Sequence, residues 1–193
     1  MSDLLKLHIT KHLNFSNNEI EEFCNLFHEK SVEKKSFLLR EGEVCKFEGF
    51  VIKGLFKVFH IDKDGVEQVL YFAPENWWIT DIDSFTNQKP SDFSIQALED
   101  SVVLVISPKD KEYAYDNLPS IEKLFRIMTQ RTFVELQRKL INNLSKTSEQ
   151  RYIEFIQKYP QLSQRLSNLQ IAAYLGITHE FVSKIRKKIA NKK

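Results

Sequence analysis

The chain changes hydrophobic period twice. Residues 2–30 carry apolar positions at helical spacing, first in "LLKLHITKHL" and then in "EIEEFCNLFHE", where Ser16 and Glu19 stand three apart as a capping box. From 36 to 107 the texture becomes β-branched and aromatic, in the runs "SFLLREGE", "FEGFVIKGLFKVFHID", "VEQVLYFA", "FSIQALE" and "SVVLVISP". Four of the five glycines (Gly42, Gly49, Gly54 and Gly65), together with Pro74 and Pro108, punctuate these runs, and Lys63-Asp64-Gly65 reads as a tight hairpin. Many short strands at regular intervals predict an antiparallel jelly roll or barrel.

Beyond Pro108 the helical period returns. Pro119 suits the first turn of a helix that runs unbroken to about Asn143, about 36 Å at 1.5 Å per residue. Ile121, Leu124, Phe125 and Met128 cover one side of its first half, whereas Phe133, Leu136, Leu140 and Leu144 lie on a partly different side of its second half. Apolar surface beyond one face requires two neighbours. The expected neighbours are the chain's own barrel and a second copy of the same helix; a fully internal helix of a monomer is the competing reading.

The last segment, "LSNLQIAAYLGITHEFVSKIRKKI" (residues 166–189), holds two short amphipathic patterns separated by Gly176. Ser167 and Gln170 form a second capping box, Gly176 can end the first helix in the left-handed conformation, and Thr178 can cap the next. At about 100° per residue, His179, Glu180, Ser183, Lys184 and Lys187 share one side of the second helix. Phe181, Val182, Ile185 and Ile189 are expected on the packed side. Small Ala172 permits close approach, and Ile171, Leu175, Ile177, Val182 and Ile185 fill the angle between the helices. This is a helix-turn-helix pattern, whose second helix enters the DNA major groove. An ordinary helical hairpin is the competing reading.

Charge favours DNA. The 28 basic and 26 acidic residues nearly cancel over the whole chain, yet residues 145–193 carry ten basic and three acidic side chains, a net of +7. Residues 1–144 carry the other 18 and 23, a net of −5. Such asymmetry draws one end to phosphate and makes binding fall steeply with salt. Lys192 and Lys193 read as a solvated tail.

With 193 residues and 42% hydrophobic content, the chain can bury one large or two small cores. No apolar run is long enough to span a bilayer, and "MSDLLKLHITKHLNF" lacks a signal-peptide pattern, so the expected location is cytoplasmic, with no membrane partner. Cys24 and Cys45 are too few for a disulfide framework or an iron–sulfur cluster, and read as buried free thiols.

The order jelly roll, long helix, helix-turn-helix resembles the Crp/Fnr family of bacterial transcription regulators over nearly the whole chain. The residues carrying the resemblance are "REGE" with "FEGFVIKGLFKVF", "LPSIEKLF" at the start of the long helix, and "LSNLQIAAYLGITHEFVSKI". The resemblance implies an α+β fold with a sensor barrel at 1–117, a dimerisation helix at 118–144 and a DNA-binding domain at 145–193. It also implies a homodimer on two-fold symmetric double-stranded DNA, a small-molecule effector whose identity is not readable, and RNA polymerase as a further partner. Two recognition helices must then lie about 34 Å apart, one duplex turn, so a signal would act on that spacing or angle. The family's Arg-Glu-Thr-Val-Ser-Arg stands here as His179-Glu180-Phe181-Val182-Ser183-Lys184, which keeps the glutamate and serine but neither arginine, so base preference should differ. The DNA-binding set is Thr178, His179, Glu180, Ser183, Lys184 and Lys187. Glu180 would accept from cytosine or simply stabilise the helix dipole, Lys184 would donate to guanine, and Ser183 and Lys187 would hold phosphate. The hairpin wing of many relatives is not expected in residues 190–193.

In cyclic-nucleotide-binding members a glutamate takes the ribose and an Arg-Ser pair the phosphate. The corresponding stretch here is "PENWWITDIDSFTNQKPSDFSIQA", with Thr80 or Asp81 for the glutamate and Ser91-Asp92 for Arg-Ser. Asp81, Asp83 and Asp92 would repel a phosphodiester, which predicts no binding of cyclic AMP or cyclic GMP; Lys89 is the one compensating cation. Any other ligand site would draw on Trp77, Trp78, Asp81 and Ser91. Adjacent Trp77 and Trp78 should point to opposite sides, and core packing is expected for both.

Jelly rolls also host cupin-type metal proteins, which need several convergent histidines and a carboxylate. Of His8, His12, His28, His60 and His179 only His60 falls in the strand region. His8 and His12, four apart, lack a third ligand and are expected at the surface. No nucleophile elbow or phosphate loop is present. The expectation is therefore a non-enzyme with no catalytic residues, metal or cofactor. The alternative is a jelly-roll partner-binding or cupin-like metal protein that does not bind DNA.

Overall fold

The computed structural model describes residues 3–13 and 15–190, the last of these by its backbone alone. Lys192 and Lys193 lie outside the described residues. The chain divides into two compact units, residues 1–60 with 72–131, and residues 61–71 with 132–193.

The first unit opens with α1 (Asp3–Thr10) and α2 (Asn17–Asn25). The expected capping box is formed, with the Glu19 N–H donating to Ser16 Oγ and the Ser16 N–H to the Glu19 carboxylate. The helical reading to residue 30 is corrected, because α2 ends at Asn25 and β1 (His28–Val32) pairs antiparallel with β8 (Ser101–Ile106). Four of the five β1 residues are exposed, so there was no alternating apolar pattern to mark a strand; pairing to buried β8 decides the conformation.

Eight strands form two four-stranded antiparallel sheets among the described residues. One has the order β1-β8-β3-β6, with β3 at Glu48–Lys53 and β6 at Trp78–Ile79. The other has the order β2-β7-β4-β5, with β2 at Phe37–Leu39, β7 at Ser94–Ala97, β4 at Phe56–Ile61 and β5 at Glu67–Ala73. The expected jelly-roll type of α+β architecture is thus present. Gly54 turns the chain from β3 into β4 at φ +94°, and a Cβ there would lie 2.8 Å from Ser101 Cα, so only glycine fits. The hairpin at residues 62–66 closes as expected, with the Gly65 N–H donating to Asp62 O at 2.9 Å and Asp62 Oδ1 accepting from the Asp64 and Val66 N–H groups.

A short helix, α3 (Ile82–Asn87), stands where the sequence pattern shows no element. After β8, α4 (Pro108–Asn117) leads into α5 (Pro119–Ser145), which extends slightly beyond the expected end and crosses the boundary between the two units. Ile121, Leu124 and Phe125 of α5 join Leu5, Ile9, Phe23, Phe50, Leu104 and Ile106 in one buried cluster, with Met128 packed against it. Lys111 of α4 meets Glu48 of β3 as a buried ion pair and lies 3.9 Å from the centre of the Phe125 ring. Both cysteines are buried free thiols, as expected, and burial pushes the Cys24 thiol up to about 11.

The second unit contains the rest of α5, then α6 (Ser148–Lys158), α7 (Pro160–Arg165), α8 (Asn168–Leu175) and α9 (His179–Ala190). Lys139 of α5 donates to the Leu70 carbonyl at 2.6 Å and stands over the Tyr174 ring of α8, joining the end of the strand hairpin to the helical part of this unit. Burial lowers its ammonium to about 8.

Candidate functional site

The helix pair α8–α9 forms for the local reasons that the sequence supplies. Ser167 Oγ accepts from the Gln170 N–H at 3.2 Å, and Gln170 Oε1 returns the bond to the Ser167 N–H at 2.8 Å. Gly176 ends α8 in the left-handed conformation (φ +64°), its N–H donating to Ala172 O. Thr178 Oγ1 then accepts from the Phe181 N–H at 3.3 Å, satisfying a free donor at the start of α9. Ile171, Ala172, Leu175, Val182 and Ile185 are buried in the angle.

The back of this pair is held by α6, which sequence reasoning did not reveal. Arg151 donates to the Leu175 carbonyl at 3.2 Å and to the Lys146 carbonyl at 3.1 Å, closing the free C-terminal end of α8. Arg186 Nε donates to the Tyr152 hydroxyl at 2.8 Å, and Lys188 pairs with Glu149 at 2.8 Å. Apart from the Arg151–Lys146 bond, these partners are 24 or more positions apart, beyond any local spacing signal. Two of the cationic residues of α9, Arg186 and Lys188, are therefore engaged with α6 and brace the helix.

The outer side of α9 holds the expected set. His179, Glu180, Lys184 and Lys187 are exposed, whereas Ser183 is half-buried. Glu180 is held below the ordinary carboxylate range by hydrogen bonds from its own backbone N–H and then from the Thr178 hydroxyl, and its Oε1 lies 3.3 Å from His179 Nε2. Ser183 Oγ donates to the His179 carbonyl at 3.0 Å and accepts from Asn168 Nδ2 at 3.1 Å, linking α9 to α8.

Phe181 departs from expectation. Expected on the packed side, it is 40% exposed while Ile185 is buried. Val182 and Ile185 lie three apart and form the inward stripe; Phe181, about 100° from Val182, falls beyond its edge.

In the first unit, the structure brings together some of the barrel candidates. Asp81 and Ser91 are both buried, and Ser91 Oγ donates to Asp81 Oδ2 at 2.6 Å. Asp81 also caps α3, its Oδ1 accepting from the Asp83 and Ser84 N–H groups at 3.1 and 3.3 Å. Lys89 pairs with Asp83 at 2.6 Å. Trp78 lies elsewhere, among Phe27, Phe50, Phe125 and His8, with its indole N–H donating to His8 Nε2 at 3.3 Å. Trp77 points out and is 37% exposed, so the two tryptophans face opposite ways, but core packing applies to Trp78 alone. Trp77 follows a turn at Asn76 (φ +66°), outside the two-residue strand that carries Trp78 inward.

The surface expectation for His8 and His12 is also corrected. His8 is half-buried on Phe50 and Trp78, and its pKa is lowered to about 4 by burial first, then by His12 and Lys11. His12 Nδ1 accepts from Arg131 at 2.7 Å. Among the described residues no three His, Cys, Asp or Glu side chains converge as a metal site, and no helix is long and apolar enough to cross a membrane.

Residues 29–116, just under half of the chain, match the family model described as Cyclic nucleotide-binding domain. No curated protein sequence matches the chain. Solved structures of similar fold include FixK2 of Bradyrhizobium japonicum (19% identity, TM-score 0.75), with 86% of this chain and 85% of that one covered. Another is the c-di-GMP-responsive global regulator CLP of Xanthomonas campestris (14% identity, TM-score 0.76, 92% and 93% covered). A third, from Eubacterium rectale, is assigned to the Crp/Fnr family of transcriptional regulators (15% identity, TM-score 0.69, 95% and 87% covered). The expected resemblance is met at the level of the fold.

Proposed function

We propose that this chain is a transcription regulator of the Crp/Fnr family, a cytoplasmic homodimer that reads a two-fold symmetric DNA site through residues 178–189 and catalyses no reaction. The observation that carries the reading is the partition of α9. Val182 and Ile185 are buried, Arg186 and Lys188 hold the helix to α6, and His179, Glu180, Lys184 and Lys187 remain on the outer side. A braced helix with cations on its outer side suits a groove lined with phosphate.

The second copy would pack on the later half of α5, where Phe133, Leu136, Leu140 and Leu144 are exposed, the last at 80%. A row of large apolar side chains at helical spacing marks an interaction surface and supports a seam between copies. Under this reading the domain boundaries are 1–117, 118–144 and 145–193, and RNA polymerase is a further partner.

The barrel would not take cyclic AMP, despite the family match. The amides at the start of α3 are occupied by Asp81, Ser91 is spent on the same carboxylate, and Lys89 is neutralised by Asp83. An entering phosphodiester would meet a buried negative charge in place of a cation. The effector, if the barrel takes one, is of another chemistry.

The test is a salt series on mixed-sequence duplex DNA. Affinity should fall steeply between about 50 and 200 mM salt, and Lys187→Ala should lower the slope of log K against log salt by about one. Lys188→Ala should change it less, because Glu149 already pairs that ammonium. Absent or salt-independent binding would favour a partner protein without DNA.

A further inference from the structure

Neither the packing of the helix pair nor the phosphate-facing charge of α9 explains the exposed ring of Phe181, which is 40% exposed. Its backbone N–H donates to Thr178 O at 3.1 Å and to Thr178 Oγ1 at 3.3 Å, placing it in the first turn of α9. That turn is the part of a recognition helix that reaches base edges. On the helical wheel Phe181 lies about 60° from Lys184 and about 100° from Glu180, at the border of the outer side.

We infer that Phe181 reads sequence by packing its ring against the C5 methyl group of a thymine in each half-site. This rests on the DNA-binding reading proposed above and assigns it a base. Two polar neighbours of Phe181, Glu180 and Ser183, are engaged within the protein. The Glu180 carboxylate accepts from its own N–H and from the Thr178 hydroxyl, and the Ser183 hydroxyl is shared between His179 O and Asn168. The ring, by contrast, is presented outward. In the major groove the apolar feature of a base pair is the thymine methyl, and contact with it removes apolar surface of both partners from water. Placed against a phosphate or a purine edge, the ring would instead strip water from polar atoms and offer no hydrogen bond in return. Lys187 would supply attraction to the backbone and Lys184 a contact to guanine, leaving Phe181 to discriminate A·T from G·C at its own position.

The probe is a duplex enriched by this protein from a random pool, remade with each dT replaced in turn by dU, which removes only the methyl group. With the wild-type protein, one symmetry-related pair of replacements should weaken binding on the order of fourfold per half-site. Phe181→Ala should bind the dT duplex weaker by a similar factor and lose the distinction between dT and dU, while Phe181→Leu should retain part of it. The exposed position makes both variants compatible with the fold, and the uracil arm requires no variant. If wild-type protein is indifferent to dU at every position, or if Phe181→Ala keeps the full dT preference, the inference fails although DNA binding stands. If no duplex is bound at all, the functional reading fails and this inference with it.

Discussion

Ser91 donates its hydroxyl to the Asp81 carboxylate across 2.6 Å, with both side chains buried. The same side chain accepts two backbone N–H groups at the start of α3, so one buried carboxylate ties the first turn of that helix to Ser91.

Removing that anion should cost stability and create no nucleotide site. Asp81→Ala loses a helix cap and a buried charge-assisted hydrogen bond, and should destabilise the protein by about 2–3 kcal/mol in urea unfolding, with little change in slope. Millimolar cyclic AMP or cyclic GMP should leave the thermal midpoint of wild-type protein and variant unchanged. A saturable rise in midpoint would contradict this account of the barrel.

The exposed half of α5 sets the second prediction. Leu140→Glu places a charge in the middle of the row formed by Phe133, Leu136 and Leu144. Wild-type protein should sediment as a dimer at micromolar concentration and the variant as a monomer with an unchanged far-UV spectrum, because Leu140 is 60% exposed within one chain. A dimeric variant, or a monomeric wild type, would remove α5 as the seam.

The third prediction concerns pH. His8 is lowered to about 4 from its ordinary 6.5, mainly by burial, and its Nε2 accepts the Trp78 indole N–H. Between these values the unfolded chain takes up a proton that the folded chain refuses. The contribution is therefore complete above pH 6.5 and is lost as pH falls toward 4. Allowing for the water that reaches a half-exposed ring, the loss should be about 1–2 kcal/mol. His8→Phe removes the titrating group, so the difference between the two unfolding curves, followed by tryptophan emission, isolates the effect. Parallel curves from pH 7 to 4 would contradict it.

What could be read from the sequence was what local spacing encodes. The caps at Ser16, Ser167 and Thr178, the breaker at Gly176, the hairpin at Gly65 and most strands are written within a few residues of where they act. So is the change of apolar side along α5, since 3.6 residues per turn makes it visible. Several of the failures depend on distant partners. β1 lacks an apolar alternation of its own and becomes a strand by pairing with β8. Trp77 and His8 were misplaced because a turn at Asn76 and an aromatic cluster drawn from several elements decide which of them is covered. In the candidate interface, the exposed residues of α9 were legible except Phe181, which lies too near the edge of the apolar stripe for periodicity to settle. The bracing of α9 by Tyr152 and Glu149 joins positions 34 and 39 apart and leaves no local trace.

Selection of duplexes from a random pool by the full chain tests the central claim most directly. The account predicts an enriched site with two inverted half-sites whose centres lie about 10–10.5 base pairs apart, one helical turn. A pool that remains random after repeated rounds, or an enriched site without two-fold symmetry, would contradict it.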